Sequence, residues 1–352
     1  MGRDRTYGSV AEPSCRFVRR RCLILRTLGL LLDEWHGDLY ALGMAATTMH
    51  EVIELSRRLD RAASSPSESG RFVPSGIDGF GVVESPTPSP LVATLYRPVV
   101  CLILQGSKVV ELGREAVLCE EGRSIIVSHE LPIRSRITEA SAERPYLALI
   151  LDLDVAQLRR LVDDVDGVDG VDADSRDRRA VALDVGTADE AVIAAFGRLL
   201  ALCDSPTEAP VLAPLVVHES HFRLLLAEHG AVLRRLLHRE SHASRISKAI
   251  GHIRAHLAEP LTVPDLARSA GMSASSFHEH FRAVTATTPL QYQKELRLLE
   301  ARDQLGVGDR TVTEVAFAVG YQSPTQFSRE YSRKFGTPPS ADRARGPMAA
   351  TG

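Results

Sequence analysis

Thiol and imidazole groups are the side chains here that most readily bind metals or act as nucleophiles, and they are sparse. The sequence has five cysteines and no pair spaced as Cys-x-x-Cys. A structural zinc site needs paired ligands, and a disulfide framework needs an even number of cysteines. The pattern therefore predicts neither and favours a reducing, cytoplasmic environment. The cysteines are Cys15, Cys22, Cys101, Cys119 and Cys203.

The remaining candidates for catalysis or metal binding are isolated. His129, beside Glu130, is the one histidine of residues 91–151, whereas a metal enzyme needs several clustered ligands. We interpret Cys101 as a plain buried thiol rather than a sensor of electrophiles. The Asp-rich stretch at 163–177 lacks the glutamate of a calcium loop and is predicted to be a solvated loop. We expect no catalytic residue, metal or cofactor.

The strongest pattern is an internal duplication in the C-terminal part of the chain, with copies about fifty residues apart. In each copy an apolar residue and an alanine precede a glycine, a serine and two aromatic residues four positions apart. Glycine suits a left-handed turn, serine suits a helix N-cap, and the aromatic pair lies on one helical face. Each copy is therefore predicted to be a helix-turn-helix unit. The first copy holds Leu266, Ala267, Gly271, Ser273, Phe277 and Phe281, and the second holds Val315, Ala316, Gly320, Ser323, Phe327 and Tyr331.

One helix from Leu290 to Leu305 is predicted between the copies, because Tyr292 and Leu296 repeat at helical spacing. It would span about 24 Å, so the two units could reach successive major grooves of a duplex, about 34 Å apart. The whole chain has 352 residues and a net charge of −3, but residues 246–345 hold 13 Lys and Arg against 10 Asp and Glu. The basic excess lies where DNA contact would need it.

These motifs resemble the DNA-binding domain of the AraC/XylS family of bacterial regulators. The resemblance covers residues 246–339, including the linker helix at Arg297–Arg302 and the second unit from Val315 to Pro339. One departure is Ala286, where the family usually has glycine at the end of the first recognition helix. The resemblance implies that double-stranded promoter or operator DNA is a partner, with RNA polymerase as a further partner of an activator.

The resemblance also implies which side chains touch DNA. If each aromatic pair faces inward, the opposite helical faces carry hydroxyl, amide, imidazole and charged groups. Glutamine suits adenine, arginine suits guanine, and glutamate can accept a hydrogen bond from cytosine. The expected contacts are Ser275, His278, Glu279 and Arg282 in the first unit and Thr325, Gln326, Arg329 and Arg333 in the second. We expect the second unit to supply more of the phosphate and guanine contacts.

Residues 91–151 consist of short apolar runs separated by turn residues, which predicts a small antiparallel barrel or sandwich. Helical patterns follow from about Ala188 to Leu237. The predicted strands are Leu91–Tyr96, Val99–Gln105, Val109–Leu112, Ala116–Cys119, Ser124–Ser128 and Tyr146–Leu151.

This part of the chain resembles the cupin-like sensor domain of one branch of the family. The matching stretches are Leu104–Lys108, Leu131-Pro132, Pro145–Leu149 and Arg223–Leu225. In such regulators the N-terminal domain senses a small molecule or forms a homodimer. Three interpretations therefore stay open: an effector-responsive regulator, a regulator whose N-terminal domain only dimerises, and a cupin-type metal enzyme fused to a DNA-binding module.

The expected fold class is α+β with two domains: an antiparallel, cupin-like β-barrel with flanking helices, then an all-α domain of two helix-turn-helix units joined by a linker helix. No apolar run is long enough to span a membrane. Met44 is an alternative start, in which case residues 1–43 are not part of the native protein. The expected boundaries are 1–48 for an N-terminal extension, 49–238 for the sensor or dimerisation domain, 239–341 for the DNA-binding domain and 342–352 for a disordered tail.

Overall fold

The computed structural model describes residues 49–62, 71–165, 182–227, 230–238 and 241–345. The N-terminal extension expected at 1–48 and most of the Asp-rich stretch lie outside these ranges. The first residues of that stretch, 163–165, form the end of a helix instead of a loop. The last helix runs to Arg345, so the first residues of the tail expected at 342–352 are also helical.

Antiparallel strands build the first half of the described chain. They form a six-stranded sheet in the order β1-β2-β9-β4-β7-β10 and a four-stranded sheet in the order β3-β8-β5-β6. The strands are β1 (Arg71–Pro74), β2 (Phe80–Ser85), β3 (Val92–Tyr96), β4 (Val99–Gln105), β5 (Ser107–Leu112), β6 (Glu115–Glu120), β7 (Arg123–Val127), β8 (Leu131–Glu139), β9 (Tyr146–Asp152) and β10 (Leu183–Thr187).

The central strand β4 explains how the sheets are covered. All seven of its residues are buried, and the first six form a continuous apolar run rather than an alternating one. Cys101 and Ile103 point into the core shared with the four-stranded sheet, and Leu102 and Leu104 point into a core under helices. Both faces of the six-stranded sheet are therefore buried.

The expectation of a closed barrel needs correction, because no strand of one sheet pairs with a strand of the other among the described residues. Gly106, which has a φ of 78°, lies at one of the points where the chain passes between the sheets. A Cβ at Gly106 would lie 2.4 Å from the carbonyl oxygen of Glu139, so the corner requires glycine. The two sheets stack as a sandwich, and their edge strands stay separate. The expected fold class of antiparallel sheets, flanking helices and a helical C-terminal part is confirmed.

The six predicted strands are present with shifts of at most two residues at either end. The sequence pattern missed β1, β2, β8 and β10. Strands β1 and β2 lie within residues 64–90, whose Ser-, Pro- and Gly-rich composition is typical of a loop. Strand β8 alternates buried Ile133 and Ile137 with polar residues, and Pro132 obscured that alternation.

Helices cover the outer face of the six-stranded sheet. Phe196 packs edge-on against Phe80 of β2, with ring centroids 5.9 Å apart, and Leu199, Leu224 and Leu233 belong to the same core. The helices of this sheet region are α1 (Met49–Ala62), α2 (Val155–Val165), α3 (Glu190–Cys203), α4 (Ala209–Leu226) and α5 (Ala231–Leu237).

The second half of the described chain is entirely helical. It packs against the sheet region as part of one unit that begins at Thr48. Apolar residues of its first helices join the core between the two sheets, whereas its last helices enclose a core of their own. The helices are α6 (His242–Ala255), α7 (Val263–Ser269), α8 (Ala274–Thr285), α9 (Pro289–Val307), α10 (Val312–Ala318), α11 (Pro324–Phe335) and α12 (Pro339–Arg345).

Candidate nucleic-acid interface

The first helix-turn-helix unit consists of α7 and α8. Thr262 caps α7 by accepting a hydrogen bond from the backbone N–H of Asp265, at 3.3 Å. The turn places Gly271 at a φ of 64°, in the left-handed region that glycine tolerates. Ser273 then caps α8 by accepting from the backbone N–H of Ser276. The predicted turn and N-cap are confirmed.

The second unit, α10 and α11, has the same arrangement, and the N-termini of its helices have additional capping features. Thr311 and Glu314 form a reciprocal capping box at the start of α10. Gly320 has a φ of 89°, and a Cβ there would lie 2.4 Å from the carbonyl oxygen of Ala258. Ser323 caps α11, and Pro324 occupies its first turn, where a missing N–H costs nothing. Glycine is therefore required at position 320 for both conformation and space.

The second helix of each unit buries its aromatic pair and exposes the opposite face. Phe277 and Phe281 of α8 are fully buried, as are Phe327 and Tyr331 of α11. The two rings of each pair have centroids 5.5 Å apart. All eight residues predicted to contact DNA are exposed: Ser275, His278, Glu279, Arg282, Thr325, Gln326, Arg329 and Arg333.

The long helix α9 joins the units, and Arg297 at its middle binds both the segment after α6 and the turn of the second unit. Its guanidinium donates to the carbonyl oxygens of Leu257 at 2.8 Å, Glu259 at 3.0 Å and Gly320 at 3.1 Å. Gln293 donates to the first two of these oxygens as well. Arg297 therefore ties the end of α6, the linker helix and the turn of the second unit together. The sequence pattern marked Arg297 only as part of a family motif.

A buried carboxylate that sequence reasoning missed supports α11. Glu330 accepts a hydrogen bond from the hydroxyl of Tyr321 at 2.9 Å and pairs with Lys294 of α9 at 2.8 Å. Burial alone would raise the pKa of Glu330, but the hydrogen bonds from Lys294 and Tyr321 outweigh it, and the pKa lies below its ordinary value. The side chain of Gln326 reaches toward the same carboxylate at 3.4 Å. Glu330 thus holds α11 on the linker helix.

The end of α8 lies against the sheet region. Ala286 is the one non-glycine residue of the described chain with a positive φ, at 57°. Its Cβ would come within 2.8 Å of a Cβ at Gly113, in the β5–β6 hairpin. The backbone N–H of Ala182 donates to the carbonyl of Val284 at 3.2 Å. Ala286, where the family usually has glycine, therefore has a left-handed backbone conformation and contacts the β5–β6 hairpin.

His129 and Glu130 attach the sheet region to the helices. The Nε2–H of His129 donates to the carbonyl of Ala243 at 3.1 Å, and its Nδ1 lies 2.9 Å from the Oγ of Ser128. Burial lowers the pKa of His129 to about 4. Glu130 pairs with Arg254 of α6 at 3.0 Å. Both ring nitrogens are engaged, and no three metal-binding side chains cluster among the described residues.

The described cysteines are buried or half-buried free thiols. Burial raises the pKa of Cys101, and it raises the pKa of Cys119 to about 12. The thiolate is the reactive form of cysteine, so these side chains remain in the unreactive thiol form at neutral pH.

This geometry defines a class: a protein with two linked helix-turn-helix units attached to a sheet region. Residues 76–232 match the family model described as the AraC-type transcriptional regulator N-terminus. Residues 266–345 match the model described as a helix-turn-helix domain. The chain belongs to the AraC family of transcriptional regulators.

Curated relatives match over part of their length. The HTH-type transcriptional regulator CdhR of Pseudomonas aeruginosa is 32% identical over 144 residues, which are 41% of this chain and 40% of that protein. The probable thc operon regulatory protein of Rhodococcus erythropolis is 33% identical over 122 residues, 34% of this chain and 37% of that protein. The chain therefore spans about two fifths of the length of these relatives.

The fold as a whole is similar to that of ToxT from Vibrio cholerae. ToxT of strain SCE256, in a crystal structure with bound unsaturated fatty acid, has a TM-score of 0.52 and 10% identity, covering 79% of this chain and 97% of that one. ToxT of strain O395, bound to a naphthalenyl butenoic acid, has a TM-score of 0.53 and 13% identity, covering 75% and 97%. At this identity the similarity concerns the fold alone. Within the described ranges, no helix combines the length and apolar character of a membrane span.

Proposed function

We propose that this protein is a cytoplasmic, sequence-specific DNA-binding transcription regulator that responds to a small-molecule effector. The observation that carries the proposal is the pair of exposed helical faces, each opposite a buried aromatic pair. Two such faces joined by one linker helix suit two successive major grooves. Helix α9 has 19 residues, about 28 Å at the usual helical rise.

The contacts divide between the two faces by chemistry. In α11, Arg329 suits the paired acceptors of guanine, Gln326 suits adenine, Thr325 can contact either a base or the backbone, and Arg333 at the end of the helix suits phosphate. In α8, Ser275, His278 and Arg282 supply donors, and Glu279 accepts from cytosine. The second unit has two arginines on this face, whereas the first has one arginine and one acidic residue. The second unit therefore contributes more of the electrostatic attraction to DNA.

The role proposed for residues 49–238 is to sense the effector, and residues 239–341 form the DNA-binding domain. The match to an AraC-type N-terminus supports the sensor role, as does the ligand-bound fold of ToxT. An alternative in which the N-terminal domain only forms a homodimer predicts a stable dimer without ligand. A regulator rather than an enzyme is favoured because the curated relatives are regulators. An activator would also contact RNA polymerase.

The test begins with full-length protein and a random pool of duplex DNA, from which bound sequences are selected. Arg329→Ala is then compared with the wild type on the selected sequence at fixed salt. We expect binding weaker by about 1–3 kcal/mol and relaxed preference at one base pair, because a bidentate contact is lost. Arg160→Ala, at an exposed arginine of α2, is the matched control and should bind normally. Unchanged affinity and selectivity of Arg329→Ala would contradict the assignment of that residue.

A further inference from the structure

The side chain of Gln326 is held by a neighbour on the exposed face of α11. Its Nε2 donates to the Oε1 of Glu330, one helical turn further along, at 3.4 Å. Gln326 is exposed, whereas Glu330 is only 8% exposed and pairs with Lys294 of the linker helix. An amide that is expected to read a base is therefore in contact with a buried carboxylate.

Two further groups fix the position of this carboxylate. The hydroxyl of Tyr321 donates to its Oε2 at 2.9 Å, and the ammonium of Lys294 lies 2.8 Å from its Oε1. The ring of Tyr321 packs edge-on against the buried Phe327, with ring centroids 5.3 Å apart. Both oxygens of Glu330 are thus engaged by groups from the turn before α11 and from the linker helix.

The charge of Glu330 decides which way the amide of Gln326 faces. Burial alone would raise the pKa of Glu330, but the hydrogen bonds that it accepts keep the pKa below its ordinary value, so the carboxylate is ionised at neutral pH. An ionised carboxylate accepts hydrogen bonds and cannot donate one, and an amide has two N–H donors and one oxygen. Gln326 therefore turns one N–H toward Glu330, because its oxygen would be repelled there. The other N–H and the oxygen remain for a base.

The remaining donor and acceptor match adenine. In the major groove, adenine offers the acceptor N7 beside the N6 amino donor, whereas guanine offers two acceptors, N7 and O6. We propose that Glu330 is a positioning residue for base recognition, which holds the Gln326 amide in the orientation that selects adenine over guanine. The inference rests on the proposed function, because it assigns the specificity of one of the DNA contacts.

The alternative orientation shows why a fixed amide matters. An amide that is free to turn can direct its NH2 group toward the acceptors of guanine, and it then discriminates poorly between the two purines. Glu330 excludes that orientation before DNA binds.

The test uses the full-length protein and the duplex sequence that it selects from a random pool. Gln326→Ala first identifies the base pair that this side chain reads, as the position at which preference is lost. The ratio of the dissociation constants for guanine and adenine at that position is then measured at fixed salt for the wild type and for Glu330→Gln. We expect a ratio of about tenfold in the wild type and a ratio at least about threefold smaller in Glu330→Gln, because the new amide can either accept from Gln326 or donate to it.

Glu295→Gln is the matched control. Glu295 also joins α9 to α11, through an ion pair with Lys334 at 3.5 Å, eight residues beyond Gln326. Each substitution removes one negative charge between the same two helices, and an effect of that charge on all duplexes cancels in a ratio of two dissociation constants. Glu295→Gln should therefore keep the wild-type ratio. An equal fall in both variants would show that Glu330 only holds α11 in place, and it would overturn the inference.

Tyr321→Phe tests the same network without changing the carboxylate. It keeps the ring on Phe327 and removes the hydroxyl that fixes Glu330, so the ratio should fall in the same direction but by less, about twofold. The thermal midpoint of each variant shows whether it is folded. An unchanged ratio in Tyr321→Phe, if Glu330→Gln does not fold, would also overturn the inference.

A double variant shows whether Glu330 acts through Gln326. In the Gln326→Ala background, Glu330→Gln should leave the ratio at this base pair unchanged, because no amide remains to be oriented. A further change in the ratio would mean that Glu330 acts on the base by another route, contrary to the proposal.

Failure of this inference can be distinguished from failure of the proposed function. If no duplex sequence is selected, the proposed function fails, and the inference fails with it. If Gln326→Ala loses preference at one base pair while Glu330→Gln keeps the full ratio there, the proposed function stands and only the role of Glu330 is refuted.

Discussion

The two helix-turn-helix units share a local design and differ in what holds them. In the first unit, Phe277, Phe281 and Val284 belong to the same core as Ile103 and Ile133 of the sheets. In the second, Phe327, Tyr331 and their neighbours form a separate core with Leu298, Ala301 and Leu305 of the linker helix. The first unit thus shares the core of the sheet region, whereas the second packs mainly on the linker helix.

Polar contacts repeat this division. Helices α6 and α9 meet the sheets through the His129–Ala243 hydrogen bond, the Glu130–Arg254 ion pair and a hydrogen bond from the hydroxyl of Tyr292 to the carbonyl of Glu130 at 2.6 Å. Helix α8 meets the sheet region through the hydrogen bond from the backbone N–H of Ala182 to the carbonyl of Val284. The second unit meets α9 through the Glu330–Lys294 ion pair. A change in the sheet region therefore reaches the first unit by direct packing, and it reaches the second unit through α9 and through the segment after α6 that Gly320 contacts.

The largest expected effect separates the two cores. Phe281→Ala and Phe327→Ala each remove a fully buried ring, at a cost of about 3–5 kcal/mol. Loss of Phe281 should lower amide-exchange protection in α8 and in the adjoining strands together. Loss of Phe327 should lower protection mainly in residues 312–345 and leave the strands unchanged. Equal loss of strand protection in both variants would contradict the division into two cores.

A smaller effect concerns pH and the attachment of α6 to the sheet region. His129 has a pKa of about 4 when folded against an ordinary value of 6.5, so the unfolded state binds a proton that the folded state excludes. Its contribution to stability is complete above about pH 6.5 and is lost as pH falls toward 4, by up to about 1.4 kcal/mol per pH unit.

Urea unfolding at several pH values measures this contribution. His129→Gln keeps an amide N–H for the carbonyl of Ala243 but does not titrate, so its stability should fall less steeply than that of the wild type below pH 6.5. Parallel curves for the two proteins would show that His129 is not the group responsible.

The smallest effect compares the ends of α8 and α11. The first ends on Ala286 at a φ of 57°, and the second ends on Gly336 at 74°. Glycine adopts this conformation without strain, so Ala286→Gly should stabilise the protein by about 0.5–1 kcal/mol. Gly336→Ala should destabilise it by about as much, since only the backbone conformation opposes a Cβ there. The thermal midpoints of the two variants measure these changes in stability. Shifts of the same sign would contradict the conclusion that the left-handed backbone conformation strains an alanine.

The sequence predicted the parts of the fold that depend on local chemistry. The Gly271 and Gly320 turns, the serine caps and the buried aromatic pairs follow from residue types at fixed spacing, and the structure confirms each. Strand β4 was equally easy to predict, because six consecutive apolar residues bounded by turn residues have few alternatives.

Features that depend on distant partners escaped prediction. Strand β1 became recognisable only through its pairing with β2, because four residues carry too little pattern. The corner at Gly106, between strands of the two sheets, requires glycine because of the carbonyl of Glu139, which is distant in the sequence. The partners of Glu330 and Arg297 lie on other elements of the fold, so the helical periodicity of the sequence does not reveal them.

The sequence by itself therefore determined two helix-turn-helix units, their linker helix and the exposed faces opposite their aromatic pairs, because helical periodicity and capping act over a few residues. Only the tertiary structure decided that the first unit shares the core of the sheets while the second has its own. It also decided that Asp152 and Asp303, which are 151 positions apart in the sequence, line the same cavity. Such juxtapositions arise from packing between distant segments, which no local pattern encodes.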